Sequence, residues 1–285
     1  MTHELGRLED LPADYVAAMR ARNLVPLWPS LRGVLPPGVP TRQTRPTHWA
    51  YADIKPLLLQ AGELTPIEKA ERRVLVLANP GHTLEKMQAS SAMYLGMQLL
   101  LPGEWAPSHR HTPNAVRMVV EGEGAWTTVE GEKCPMSRGD LILTRAGCGA
   151  NTATTARAIW LDVLDLPRLT TWRSATTSTA RARPHAPARL TAPALACGDV
   201  AHPGVRAQRA PLPLLRYPWA NARAALLSMA QDQPGGLACV QKVTCEPRVG
   251  RRRRVCLLGF YAMMLRPGQT LTLPARSPAV VFYAI

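Results

Sequence analysis

Long apolar runs are missing from this 285-residue chain, and none reaches the length that spans a bilayer. Its opening residues, MTHELGRLEDLPADYV, have neither the basic start nor the apolar stretch of a secretory leader, so the expected compartment is the cytoplasm and no membrane partner is expected. Cysteine is scarce too. The six residues at 134, 148, 197, 239, 245 and 256 show no CxxC spacing, which argues against a disulfide framework or a zinc site. Acidic residues are scarce in one half only: residues 1–144 carry 15 Lys+Arg against 15 Asp+Glu, whereas residues 145–285 carry 19 against 5. That surplus makes up the whole net charge of +14. Nucleic-acid binding would need stacking aromatics among the arginines or a recognisable motif, and the chain has neither. The run Arg251–Arg254 reads as a solvated turn, and no nucleic-acid partner is expected.

What is present falls into pieces of different character. Apolar residues at helical spacing predict helices over 11–23, 52–61 and 66–77, broken by Pro36-Pro37-Gly38. From residue 92 the pattern changes to short strands: MYLGMQLLL, VRMVVEGEG, AWTTVEG, DLILT and AIWLDVLDLP, separated by Gly-bearing turns. Such spacing predicts an antiparallel barrel or sandwich. Of the 38 residues from Arg173 to Ala210, 25 are Ala, Arg, Thr or Pro, so this stretch is expected to bury too little apolar surface to order itself. Order resumes at PLLRYPWANARAALLSMA, an extended piece leading into a helix. Shifting the chain by 165 residues lays LRPGQTLTLPARSPAVVFYAI (265–285) on LLPGEWAPSHRHTPNAVRMVV (100–120) without a gap. This internal repeat predicts a duplicated barrel whose second copy is truncated and has Pro274 and Arg276 where the first has His109 and His111. The expected organisation is a helical arm at 1–91, a first barrel at 92–168, a linker at 169–210, and a helix with the partial second barrel at 211–285.

The sharpest chemical signal is Gly103-x5-His109-Arg110-His111, followed by a strand. Residues i and i+2 of a strand share a face, so both imidazoles would project into the barrel. Two converging imidazoles suit a borderline transition metal such as iron(II). The plainer alternative is a pair of surface histidines on a loop.

The segments AERRVLVL (70–77), MQLLLPGEWAPSHRHTPNAVRMVVEGEGAWTTVEGEK (97–133), MSRGDLILT (136–144), IWLDVLDLP (159–167) and PLLRYPWANARAAL (213–226) cover about half the chain. Together they resemble the cupin superfamily, and within it the bicupin gentisate 1,2-dioxygenases. The resemblance implies an all-β duplicated double-stranded barrel with an N-terminal helical arm. It further implies an Fe(II)-dependent cleavage of a small aromatic acid by O2, and a homo-oligomer, tetrameric in relatives. By matching motif, His109 and His111 would be metal ligands and Arg117 would pair with the substrate carboxylate. Gln98, Arg73 and Asp162 would line the pocket, with Asp162 in a catalytic role. Apart from the resemblance, these three have plain structural readings as a strand-end amide, a helix charge and a loop cap.

The pattern breaks at one place. The resembling family has a third iron histidine after the GDLILT strand, whereas this chain reads TRAGCGANTATTA at 144–156, where Cys148 is the one soft donor. Out-of-frame translation across 145–157 and much of 173–210 would account both for that gap and for the Ala/Arg/Thr/Pro bias, and sequencing the encoding DNA tests it. Besides a gentisate dioxygenase, the sequence admits a relative acting on salicylate or 1-hydroxy-2-naphthoate, or a cupin fragment without a complete iron site.

Overall fold

The computed structural model describes residues 6–30, 43–144, 147–167, 177–179, 215–232, 238–245, 248–249, 253–254, 258–272 and 279–285. The chain divides into two compact units, 1–42 and 43–285. In the first unit the expected helix forms as α1, Ala13–Ala21, with Met19 buried.

The second unit is built on two antiparallel sheets. Before them comes α2, Tyr51–Leu64, and then a single turn, α3, Ile67–Ala70. The helix expected over 66–77 therefore stops early. Glu71 takes φ +51°, which an α-helix does not tolerate, and the segment that follows, Arg73-Val74-Leu75-Val76, pairs as a strand. That strand is β1, Arg73–Val76, so the sheet draws on a segment ahead of residue 92. The others around the barrel are β2 (Tyr94–Leu100), β3 (Trp105–His111), β4 (Ala115–Glu121), β5 (Ala125–Val129), β6 (Glu132–Met136), β7 (Leu141–Thr144), β8 (Gly149–Thr154) and β9 (Ala158–Leu164). After them come β10 (Thr177–Thr179) and β11 (Arg216–Tyr217). One sheet has the order β1-β2-β9-β4-β7-β11 and the other β10-β3-β8-β5-β6. All strands pair antiparallel, as the short Gly-punctuated runs predict.

Period-2 alternation sorts the side chains of the first sheet into two cores. Its outer face carries Leu95, Met97, Leu99, Val116, Leu141, Ile159, Leu161 and Val163, covered by Leu58 and Ile54 of α2 and by Tyr217. Its inner face carries Leu100, Val119, Ile142, Ala158 and Trp160, which meet Ala106, Ala125, Val129 and Ala150 of the other sheet. The space between the sheets is the barrel interior. The start of α2 is tied to the end of β4 by Glu121, which accepts from Tyr51 Oη at 2.8 Å and from Lys55, with Arg157 adding two further bonds.

Past the barrel the chain continues into α4, Trp219–Asp232, and then into β12 (Ala238–Cys245), β13 (Arg248–Val249), β14 (Arg253–Arg254) and β15 (Leu258–Met264). β12 pairs with β15 and β13 with β14. Two features support a repeat. Strand β15 precedes Pro267-Gly268 as β2 precedes Pro102-Gly103, and both glycines adopt positive φ, +76° and +82°. We propose, on this ground, that 211–285 derives from a second copy of the same unit. Most of the 169–210 linker, together with Pro274 and Arg276, lies outside the described residues. Among the described residues no helix is long and apolar enough to cross a membrane.

Asp140, 2% exposed, joins the segment after the linker to the barrel. It accepts two bonds from Arg216, at 2.9 and 2.7 Å, one from the Trp219 amide at 2.8 Å and one from the Ser137 amide at 3.2 Å. Removing one partner of a mostly buried, multiply bonded pair is costly, although the 28%-exposed Arg216 side chain can recover some hydration. Asp140→Ala is therefore expected to lower stability by about 2–4 kcal/mol in urea unfolding. It should also expose the chain near residue 215 to limited proteolysis at lower denaturant than the rest.

Candidate active site

The inner face of the first sheet holds one polar rung. Gly96 of β2 stands opposite Asp162 of β9, which stands opposite Arg117 of β4, and the register puts all three on the barrel side. Arg117 is firmly held there. Its Nε donates to Asp162 Oδ1 at 3.1 Å, and its Nη1 donates to Thr152 Oγ1 at 2.5 Å and to Thr127 Oγ1. The guanidinium carbon also lies 4.4 Å from the centre of the Trp160 ring, within cation–π reach. Trp160 Nε1 in turn donates to Asp162 Oδ2 at 2.9 Å, so that carboxylate is held at both oxygens. The next rung carries Gln98 opposite Trp160, with Gln98 1% exposed and its Nε2 without a hydrogen-bond partner in the described structure.

The second sheet brings the histidines. Strand β3 pairs with β8 through Ala106↔Thr152 and then His109↔Ala150, so two residues, Pro107 and Ser108, intervene on one strand against one on the other. This bulge re-aims the strand, and His109 joins Ala106 on the inner face. His111 follows two residues later on the same side, 9% exposed, with its ring centroid 5.1 Å from that of His109. Arg110, between them, points outward and pairs with Glu130 at the surface. Burial, reinforced by Arg72, His111 and Arg117, pushes the His109 pKa down to about 4. Burial also lowers that of His111. Both rings are thus neutral at pH 7, the state a metal ligand requires. His111 Nδ1 lies 2.7 Å from the Pro113 carbonyl, which can only accept, so that nitrogen carries the ring proton and Nε2 keeps a lone pair.

Of the residues singled out in the sequence, the structure brings Gln98, His109, His111, Arg117 and Asp162 to the barrel interior. It does not bring Arg73 there. Arg73 faces Leu99 on the outer side of the sheet, 3% exposed, and is ion-paired to Glu104. The neighbouring Arg72 takes the inner position instead. Its Nη2 donates to the Pro107 carbonyl at 2.7 Å and contacts His109 Nδ1 at 2.5 Å. Among the described residues no carboxylate is within ion-pairing distance of Arg72, and burial lowers its pKa. The doublet Arg72-Arg73 was visible in the sequence, and a one-residue difference in register decides which side chain enters the barrel. The Tyr94 hydroxyl, one alternation before Gly96, has its pKa raised to about 12 by burial and then by the Asp162 charge.

Iron is the group to test against these residues. His111 offers its free Nε2 lone pair to a borderline divalent ion, whereas the His109 Nδ1 lone pair is turned to Arg72 and becomes a second donor only when that contact opens. Among the described residues no group of three His, Cys, Asp or Glu could hold a metal. The inner position opposite His109 on β8 is Ala150, and Thr152 beside it is spent on Arg117. The described residues therefore supply two of the three protein donors that the resemblance implies and do not complete the set.

The fold and the residues at its centre define a class. A family model described as "Cupin domain" matches residues 96–164, which run from β2 to the end of β9. The chain is 62% identical over 287 residues to a gentisate 1,2-dioxygenase of Ralstonia sp, an alignment covering all of this chain and 80% of that protein. Among solved structures it is similar to salicylate 1,2-dioxygenase from Pseudaminobacter salicylatoxidans, at 32% identity and a TM-score of 0.66 over 82% of this chain and 71% of that one. A gentisate adduct of the same enzyme matches at 31% identity and a TM-score of 0.65, over 82% and 68% of the two chains. The protein is a cupin by fold. It belongs to the gentisate 1,2-dioxygenase family.

Proposed function

We propose that the protein is a gentisate 1,2-dioxygenase, cleaving the ring of 2,5-dihydroxybenzoate with O2 to give 3-maleylpyruvate. Both oxygen atoms enter the product, and the carbon–carbon bond between the carboxylate-bearing carbon and its hydroxylated neighbour breaks. The observation that carries this reading is the shared barrel interior, where two neutral imidazoles stand with the Arg72 guanidinium and the Arg117–Asp162 pair. Membership of the family supports it.

His109 and His111 would hold Fe(II), which when bound supplies the Lewis acidity and the one-electron chemistry that O2 requires. The chain's own residues bind and orient the acid. Arg72 lacks a carboxylate partner among the described residues, so its guanidinium is the ready anchor for the substrate carboxylate. Arg117 is already committed to Asp162, Thr127 and Thr152. It serves as a fixed positive wall with Trp160 behind it. Gln98 offers an unpaired amide donor from the same face. Asp162 aims Arg117 and keeps the site from carrying two uncompensated guanidinium charges.

Two experiments follow. Arg72→Met is expected to weaken gentisate binding about tenfold or more, measured by calorimetry on the anaerobic protein, because a charge-assisted anchor is lost. Arg73→Met should leave that affinity within about twofold, since its side chain lies on the other face of the sheet. The function itself is tested by giving the iron-reconstituted protein gentisate, salicylate and 1-hydroxy-2-naphthoate and following ring-cleavage products. Highest kcat/KM for gentisate supports the reading, and preference for either monohydroxy acid replaces it.

A further inference from the structure

Two hydrogen bonds converge on one peptide unit in the turn between β3 and β4. The carbonyl of Pro113 accepts from His111 Nδ1 at 2.7 Å. The amide of Asn114, the other end of the same peptide, donates to Asp165 Oδ1 at 2.9 Å. The Asn114 side-chain Nδ2 donates to Asp165 Oδ2 at 2.8 Å, and the Asp165 amide closes the loop onto the Asn114 carbonyl at 3.4 Å. Asp165 is fully buried, at 0% exposure, just past the end of β9.

The peptide bond is conjugated, so an acceptor pulling on its N–H makes its carbonyl a stronger acceptor. The order carboxylate, peptide, imidazole then does what a carboxylate touching a ligating histidine does directly: it fixes the ring and decides which nitrogen carries the proton. His109 provides an internal contrast. Among the described residues it has no such support, and its Nδ1 faces the donor Arg72, which favours the proton on Nε2.

We propose that Asp165 is a positioning residue for His111, acting through the Pro113–Asn114 peptide to hold the ring in its Nδ1–H form with the Nε2 lone pair free. The use made of that lone pair rests on the reading of His111 as a metal ligand, whereas the tautomer does not.

The test is 15N NMR of histidine-labelled, metal-free protein at a pH where the rings are neutral, with signals assigned through His111→Gln and His109→Gln. Wild type is expected to show His111 protonated at Nδ1. Asp165→Ala should shift it towards a mixture of the two forms. Asp165→Asn keeps the shape and an acceptor oxygen, and should shift it less. Asn114→Ala retains the backbone N–H and should leave it in place. If Asp165→Ala fails to fold, Asp165→Asn against Asn114→Ala decides. A wild-type His111 protonated at Nε2, or a tautomer indifferent to both Asp165 variants, overturns the proposal. Zinc affinity, read in parallel by equilibrium dialysis, should fall about 10–100-fold in Asp165→Ala and less in Asp165→Asn. Wild type that shows the Nδ1–H form yet binds no zinc would remove the ligand reading while supporting the positioning one.

Discussion

Arg117→Met is expected to cost about 3 kcal/mol of folding stability, a large share of what a domain of this kind possesses. The reason lies in what the substitution leaves behind. Asp162 would keep the Trp160 indole donor but lose its ion pair, with its side chain only 16% exposed. Thr127 and Thr152, 2.6 Å apart, would be left to satisfy one another. An isosteric partner change should recover much of the loss: in Arg117→Met/Asp162→Asn no unpaired charge remains, and the double-mutant cycle is expected to return a coupling of about 2 kcal/mol. Urea unfolding of the four proteins measures it. Additive single losses would mean that the two side chains do not depend on each other. The same substitution should abolish measurable gentisate binding, because the wall of the site goes with the stability.

His111→Ala is expected to reduce ring cleavage about a thousandfold or more, since a Lewis-acidic centre contributes several kcal/mol of charge stabilisation and tenfold in rate corresponds to about 1.4 kcal/mol. Iron content per chain should fall in step. His109→Ala is expected to do the same, with one difference. Removing that ring frees Arg72 from its contact with His109 Nδ1, so acid binding measured without iron should be retained or improved. A variant that loses iron but keeps gentisate affinity would show that the two halves of the site, imidazole and guanidinium, act separately. Equal turnover in wild type and both variants would remove the histidines from the chemistry.

The sequence shows the barrel's strands best as short, largely apolar runs rich in Val, Ile, Leu and Trp, as in β4 and β9. Strand β1 was concealed because Ile67, Ala70, Val74 and Leu77 keep a helical apolar spacing through it. Only Glu71 in the left-handed region and the pairing to β2 reveal the switch. Strand β8, GANTAT, carries almost no hydrophobic signal, and its neighbours β3 and β5 supply the pairing that makes it a strand. It falls in the segment without the expected histidine, yet it is the central strand of its sheet. The His-x-His pair was legible because it is local. The Arg117–Asp162–Trp160 cluster joins residues up to 45 apart in sequence, and no spacing rule connects them. Arg72 was missed for a subtler reason: two adjacent arginines are equivalent in composition, and only strand register tells the inner from the outer.

Oxygen uptake by the iron-reconstituted protein on addition of gentisate, with product absorbance followed in the same cuvette, tests the account most directly. One O2 consumed per maleylpyruvate formed, dependent on added ferrous ion and lost when both 109 and 111 are alanine, is the predicted result. Gentisate that binds without any oxygen consumed, or turnover that persists in the double variant, would contradict it.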